Sequence, residues 1–92
     1  MLLAIDIGNT NVVIALFHKE ELVYDWRINS DPKRTADEYI SILLSLFRDA
    51  GLSLSAINSS VLSTVVPQLL GPFIRVVGRL TGKKPLVVNT SI

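Results

Sequence analysis

Two apolar runs of strand length, LLAIDI at residues 2–7 and VVIALF at 12–17, are separated only by Gly8-Asn9-Thr10-Asn11. So short a connection cannot carry the chain across a sheet to a parallel position, and the runs must pair as an antiparallel hairpin. The second run is apolar without alternation, the pattern of a strand covered on both faces. After a turn at Lys19-Glu20-Glu21 comes LVYDWRI, residues 22–28, where alternation is clean. Leu22, Tyr24, Trp26 and Ile28 fall on one face, with Val23, Asp25 and Arg27 on the other. That predicts a half-exposed edge strand with its charges on the wet side, completing an antiparallel meander.

Residues 29–34, NSDPKR, read as a loop. Thr35 and Glu38 fit a capping box, hydroxyl and carboxylate each satisfying a free backbone donor at a helix start. Behind them Ala36, Tyr39, Ile40, Leu43, Leu44, Phe47 and Ala50 make a helical stripe, and Gly51 supplies the left-handed stop. SSVLSTVV, residues 59–66, is a further strand, parallel in the sheet because a helix precedes it. Pro67 begins a second helix with the stripe Leu69, Phe73, Val76, Val77 and Leu80. Pro72 is expected to break or restart it, moving its true first turn to Gly71-Pro72. Gly82 ends it, and PLVV is a last strand. The order is β-β-β-α-β-α-β, an α/β arrangement with a mixed sheet.

At 92 residues the chain is one domain, able to bury a single core. Hydrophobic residues make up 49% and the net charge is +1, so neither a basic nucleic-acid footprint nor a disordered tail is indicated. There is no cysteine, which removes disulfides and thiolate metal sites and fits a reducing compartment. No apolar run has the length of a membrane span. Met1 leads directly into a strand pattern without a signal-like segment. A cytoplasmic protein without membrane or nucleic-acid partners is expected. The stop at PLVVNTSI, just after a strand, is expected of a lobe cut from a longer protein, and the high apolar content predicts that such a lobe self-associates or needs its other half.

Asp6 sits at the C-terminal end of the first strand, directly before a turn holding a glycine, two amides and a hydroxyl. Those residue types suit a metal–phosphate site. Gly8, having no Cβ, lets the backbone approach an anion, and successive N–H groups in such a turn can make an anion-binding concavity. Thr10, Asn9 and Asn11 add donors without charge. Asp6 could hold Mg²⁺ directly or through water, and the constellation would orient the terminal phosphate of ATP for in-line transfer. The same residues also suit an ordinary tight hairpin, and the pentad D-x-G-N-T does not by itself decide between the two.

The order of several segments does more. DIGNTN at 6–11, WRINSDPKRTADEY at 26–39, LSTVVP at 62–67 and KPLVV at 84–88 resemble, in order along the whole chain, the N-terminal lobe of type III pantothenate kinases. These are also described as Bvg accessory factor-like proteins, within the actin/hexokinase/Hsp70-like ATPase superfamily. The resemblance implies a ribonuclease-H-like lobe with a mixed five-stranded sheet and helices packed on it. It implies ATP-dependent phosphorylation of pantothenate to 4'-phosphopantothenate, the first step of coenzyme A biosynthesis. It also implies a cytoplasmic homodimer that uses Mg²⁺ and a monovalent cation, K⁺ or NH₄⁺. Residues 6–13 correspond to the family's first phosphate-binding loop: Asp6 as metal-associated acid, with Ile7, Gly8, Asn9, Thr10, Asn11, Val12 and Val13 around the phosphates. The family's Gly-Ala-Asp-Arg segment, with its catalytic aspartate, and its Asp-x-Gly-Thr-Ala-Thr-Thr motif do not occur in residues 1–92 and are expected beyond Ile92. No catalytic base is therefore assigned in this chain, which alone is expected to be inactive.

Other polar residues have plainer readings. Asp37 and Glu38 fit cap and helix-dipole roles before a metal pair, and Lys33 and Arg34 a solvated loop before a phosphate contact. Ser63 and Thr64 end a strand that should neighbour the first, at the crevice where open α/β sheets bind ligands, although small hydroxyls in a strand also satisfy themselves locally. His18 reads as a strand-end surface residue, Phe17 and Trp26 as packing. Gly82-Lys83-Lys84 is not a phosphate-binding Walker loop. The alternatives to a kinase of this kind are a non-catalytic regulator or interaction module of the accessory-factor type, and another kinase of the superfamily, since fold does not fix substrate.

Overall fold

The computed structural model describes residues 1–89. The opening hairpin forms as its spacing requires: β1 (Leu2–Ile7) and β2 (Asn11–His18) pair antiparallel, with Ile7 opposite Val12 and Leu2 opposite Phe17. β3 (Glu21–Asn29) pairs antiparallel with β2 and lies at the sheet edge. The turn between them has Lys19 at φ 59°, a left-handed position taken here without glycine. After α1 (Ala36–Asp49) and a 3₁₀ turn at Leu54–Ala56, β4 (Ser59–Thr64) joins parallel to β1. Then α2 (Pro67–Thr81) returns the chain to β5 (Leu86–Asn89), parallel to β4. The mixed sheet has five strands in the order β3-β2-β1-β4-β5.

One face of this sheet is the core floor. Leu3, Ile5, Ile7, Val12, Ile14, Leu16 and Leu62 project from it and are buried. They meet Tyr39, Leu43 and Phe47 of α1, and Leu69, Phe73, Val76 and Val77 of α2. The Tyr39 and Phe73 rings join the helices, with centroids 4.5 Å apart and tilted by 48°, a geometry that adds to the burial of two large side chains. Each helix has the apolar stripe predicted from its spacing. The capping box at Thr35 forms in full: the Thr35 N–H donates to Glu38 Oε1 at 2.8 Å and the Glu38 N–H to Thr35 Oγ1 at 3.2 Å. The helix ends have the expected glycines in left-handed conformation, Gly51 at φ 70° and Gly82 at φ 74°.

Three expectations need correction. β2 is not covered on both faces by the described residues: Val12, Ile14 and Leu16 are buried, whereas Val13, Ala15 and Phe17 are only partly so. Both helices pack on one side, and among the described residues nothing covers the other. On β3, a bulge at Leu16/Phe17 sets Leu22 opposite Phe17 and Tyr24 opposite Leu16. Val23 is the extra residue, so Leu22 leaves the row of Tyr24, Trp26 and Ile28 and stands exposed. Finally, α2 does not restart at Gly71-Pro72; it is continuous from Pro67 with Pro72 inside it. The preceding residue explains this. A proline disfavours helical backbone before it partly by crowding that residue's Cβ, and Gly71 has none.

Candidate functional site

The C-terminal ends of β1 and β4 and the start of β2 meet at one end of the sheet, and the sequence-predicted residues lie there. Asp6 is on the open face, opposite Val13 on β2 and Ser63 on β4, and its side chain is exposed. The Ser63 hydroxyl donates to Asp6 Oδ1 at 2.8 Å. Behind Asp6 the face is a shallow depression of about 210 Å³ floored by Ala4, Val13, Ala15, Phe17 and Val61, so the polar pair stands at the rim of an apolar surface.

The turn itself is closed by Gly8. Its N–H donates to the Asn11 carbonyl at 2.8 Å, and a Cβ at this position would lie 3.1 Å from that same oxygen. A Cβ here would press on the loop's own carbonyl, which would have to give by a few tenths of an ångström, and the Gly8 N–H is used within the loop. Neither Asn9 nor Thr10 has positive φ, so this is not the primed turn for which hairpins select Asn and Gly. Their N–H groups make no hydrogen bond within the described residues, and both residues are exposed. The Thr10 carbonyl accepts from the Ser30 N–H at 2.9 Å, tying the turn to the end of β3. On the other flank the Val65 N–H donates to the Ile7 carbonyl at 3.1 Å, joining the turn to the start of α2.

The predicted segment therefore divides. Asp6, Asn9 and Thr10 present side chains to solvent, and Asn11 and Val13 are partly exposed. The Ile7 and Val12 side chains are fully buried core, so only their main chain could face a ligand. Thr64, whose side chain alternates away from that of Ser63, is buried; its hydroxyl donates to the Val66 carbonyl at 3.1 Å and accepts from the Val66 N–H at 2.8 Å. Asp37 and Glu38 take the plain reading: Asp37 lies 3.8 Å from Arg79 in an exposed pair, and Glu38 caps α1. Arg34 is used structurally, donating to the Asn29 carbonyl at 3.0 Å with its guanidinium 5.2 Å from the Tyr39 ring centre. Sequence reasoning did not anticipate the Ser30–Thr10 link, because a main-chain contact between loops leaves no mark on residue type.

The chemistry of the donor set can be compared with a hard divalent cation. Among the described residues no group of three or more His, Cys, Asp or Glu side chains converges. A metal at Asp6 would thus take one protein carboxylate and fill its remaining positions with water or phosphate oxygens. That fits Mg²⁺, which keeps much of its hydration, and fits neither a tetrahedral zinc site nor an all-protein calcium cage.

The strand order and the polar turn at the strand ends define a lobe of the actin/hexokinase-like ATPase fold. Its backbone superposes on the ROK hexokinase of Thermus thermophilus with a TM-score of 0.68 at 16% identity, over 96% of this chain and 34% of that one. YeaZ from Pseudomonas aeruginosa gives 0.67 at 21% identity, over 96% of this chain and 43% of that one. These likenesses establish the fold alone. At the sequence level the profile of the type III pantothenate kinase family matches residues 2–92, and the chain belongs to that family. The type III pantothenate kinase of Geobacter sulfurreducens is 47% identical over all 92 residues, and that of Moorella thermoacetica 44%. The chain spans 36% of the length of each.

Proposed function

We propose that the turn from Asp6 to Val13 is the Mg²⁺–ATP phosphate site of a pantothenate kinase, and that the complete gene product transfers the γ-phosphoryl group of ATP to pantothenate, giving 4'-phosphopantothenate. The observation that carries this reading is an exposed carboxylate on a fixed strand end beside a glycine-closed turn, in a chain of this family. Asp6 would hold the cation through its carboxylate. The Asn9 and Thr10 N–H groups and the Asn9, Thr10 and Asn11 side chains would receive phosphate oxygens. Mg²⁺, when bound, would neutralise charge on the phosphates during transfer. The Gly8–Asn11 hydrogen bond keeps the turn closed, and the Ser30–Thr10 bond holds it against β3, so the donors need little reordering to meet an anion. No catalytic base is assigned to any of residues 1–92. A monovalent cation (K⁺ or NH₄⁺), a homodimer and a cytoplasmic setting accompany this reading as properties implied by the family resemblance.

Asp6→Asn in the complete gene product tests it. The amide is nearly isosteric but carries no charge for a cation. In a coupled assay with ATP and pantothenate, kcat should fall at least about a hundredfold, as when a group stabilising transition-state charge is removed, with the melting temperature nearly unchanged. Turnover close to wild type would reject the role given to Asp6.

A further inference from the structure

We infer that Ser63 is the positioning residue for Asp6: its hydroxyl holds the carboxylate in the orientation that receives the metal–phosphate group. The inference rests on the reading of Asp6 given above and extends it to a residue on a different strand, 57 positions away in sequence.

Asp6 stands near the end of β1 with its side chain exposed. Among the described residues it has one hydrogen-bond partner, the Ser63 hydroxyl at 2.8 Å from Oδ1. The parallel register of β1 and β4 sets these two residues side by side on the same open face, so the contact is fixed by strand pairing rather than by flexible loops. A hydroxyl donating to a carboxylate is a charge-assisted bond, stronger and more directional than one between neutral groups. It occupies one lone pair of Oδ1 and leaves Oδ2, with both its lone pairs, for an incoming cation. Ligand carboxylates in metal sites are commonly oriented by such partners.

The neighbouring hydroxyl has a different task. Thr64 faces the opposite side and joins the backbone of Val66 at the start of α2. The LST segment thus carries two hydroxyls with divided roles, Thr64 securing the strand-to-helix turn and Ser63 reaching the acid. An alanine at position 63 would fill the same part of the sheet surface, so the fold gives no evident reason for a hydroxyl there apart from Asp6.

The test is calorimetric titration of Mg²⁺–ADP into the complete gene product, as wild type, Ser63→Ala, Ser63→Thr and Asp6→Asn, with the metal-free melting temperature of each. Ser63→Ala should weaken binding about tenfold, the loss usual when a group orienting a metal ligand is removed, and leave the melting temperature in place. Ser63→Thr keeps the hydroxyl and should restore the affinity. If Asp6→Asn abolishes binding while Ser63→Ala binds as wild type, Ser63 does not position the acid and the inference is overturned, with the reading of Asp6 intact. If neither substitution alters binding, the reading of Asp6 fails and the inference falls with it. A loss in Ser63→Ala that threonine does not restore also overturns it, because the hydroxyl would not be the operative group.

Discussion

The Tyr39 hydroxyl joins both main-chain polar groups of Asp31: it donates to the Asp31 carbonyl at 2.9 Å and accepts from the Asp31 N–H at 3.0 Å. Tyr39 lies in the first turns of α1 with its ring fully buried against Phe73. A core residue thereby fastens the loop between β3 and α1. The same loop reaches the candidate site, since Ser30, next to Asp31, donates its N–H to the Thr10 carbonyl. The core, the connecting loop and the phosphate-loop candidate form one continuous chain of contacts.

Tyr39→Phe isolates that relationship. The ring and its packing remain, but both Asp31 groups lose their partner in a partly buried place. Chemical denaturation should show a loss of about 1–3 kcal/mol, the cost of leaving such groups unsatisfied. An unchanged midpoint would mean that water replaces the hydroxyl and that the loop is held by its other contacts.

What the sequence makes legible follows from the reach of each signal. Element order, the capping box and both helical stripes rest on contacts a few residues apart, and all appear as read. The bulge that turns Leu22 out is set by how β2 and β3 register across the sheet, which alternation within LVYDWRI cannot report. The coverage of β2 depends on which side both helices choose. An unbroken apolar run such as VVIALF leaves that open, because Val13, Ala15 and Phe17 would read alike under a helix or at a bare face. At the site, Asp6 and the turn residues stand out by type. The Asp6–Ser63 contact depends on a parallel register between segments far apart in sequence, so Ser63 could be placed near the crevice but not given a partner.

Gly71 and Gly78 occupy the same helix and should respond differently to alanine. A Cβ at Gly78 would meet nothing within 4 Å, so Gly78→Ala should stabilise the protein by about 0.5–1 kcal/mol through helix propensity and reduced freedom of the unfolded chain. Gly71 has equally open surroundings beyond its chain neighbours, but it precedes Pro72, whose ring crowds a Cβ on a helical residue before it. Gly71→Ala should therefore yield no gain or a loss. Thermal unfolding of the two variants separates the explanations; equal stabilisation would show that Gly71 is not what lets α2 continue through the proline.

Glu38 gives the fold a defined acid sensitivity. Its carboxylate is held below the ordinary glutamate value, first by the hydrogen bond from the Thr35 backbone and then by that from the Thr35 side chain, with a smaller contribution from Arg34. A carboxyl that binds its proton less readily in the folded state contributes stability that is fully present above its unfolded pKa, about 4.3 for glutamate. That contribution is lost as the pH falls through the lower folded value. Glu38→Gln retains a side chain able to accept from the Thr35 N–H but has no titrating group in this range. The difference in melting temperature between wild type and Glu38→Gln should therefore be constant above about pH 5.5 and shrink as the pH falls through and below the ordinary glutamate range. Other acids titrate in both proteins and largely cancel in the comparison, apart from Asp31, whose charge opposes that of Glu38. A difference that stays flat across this range would mean that the capping box draws nothing from the charge, and that its hydrogen-bond geometry alone starts α1.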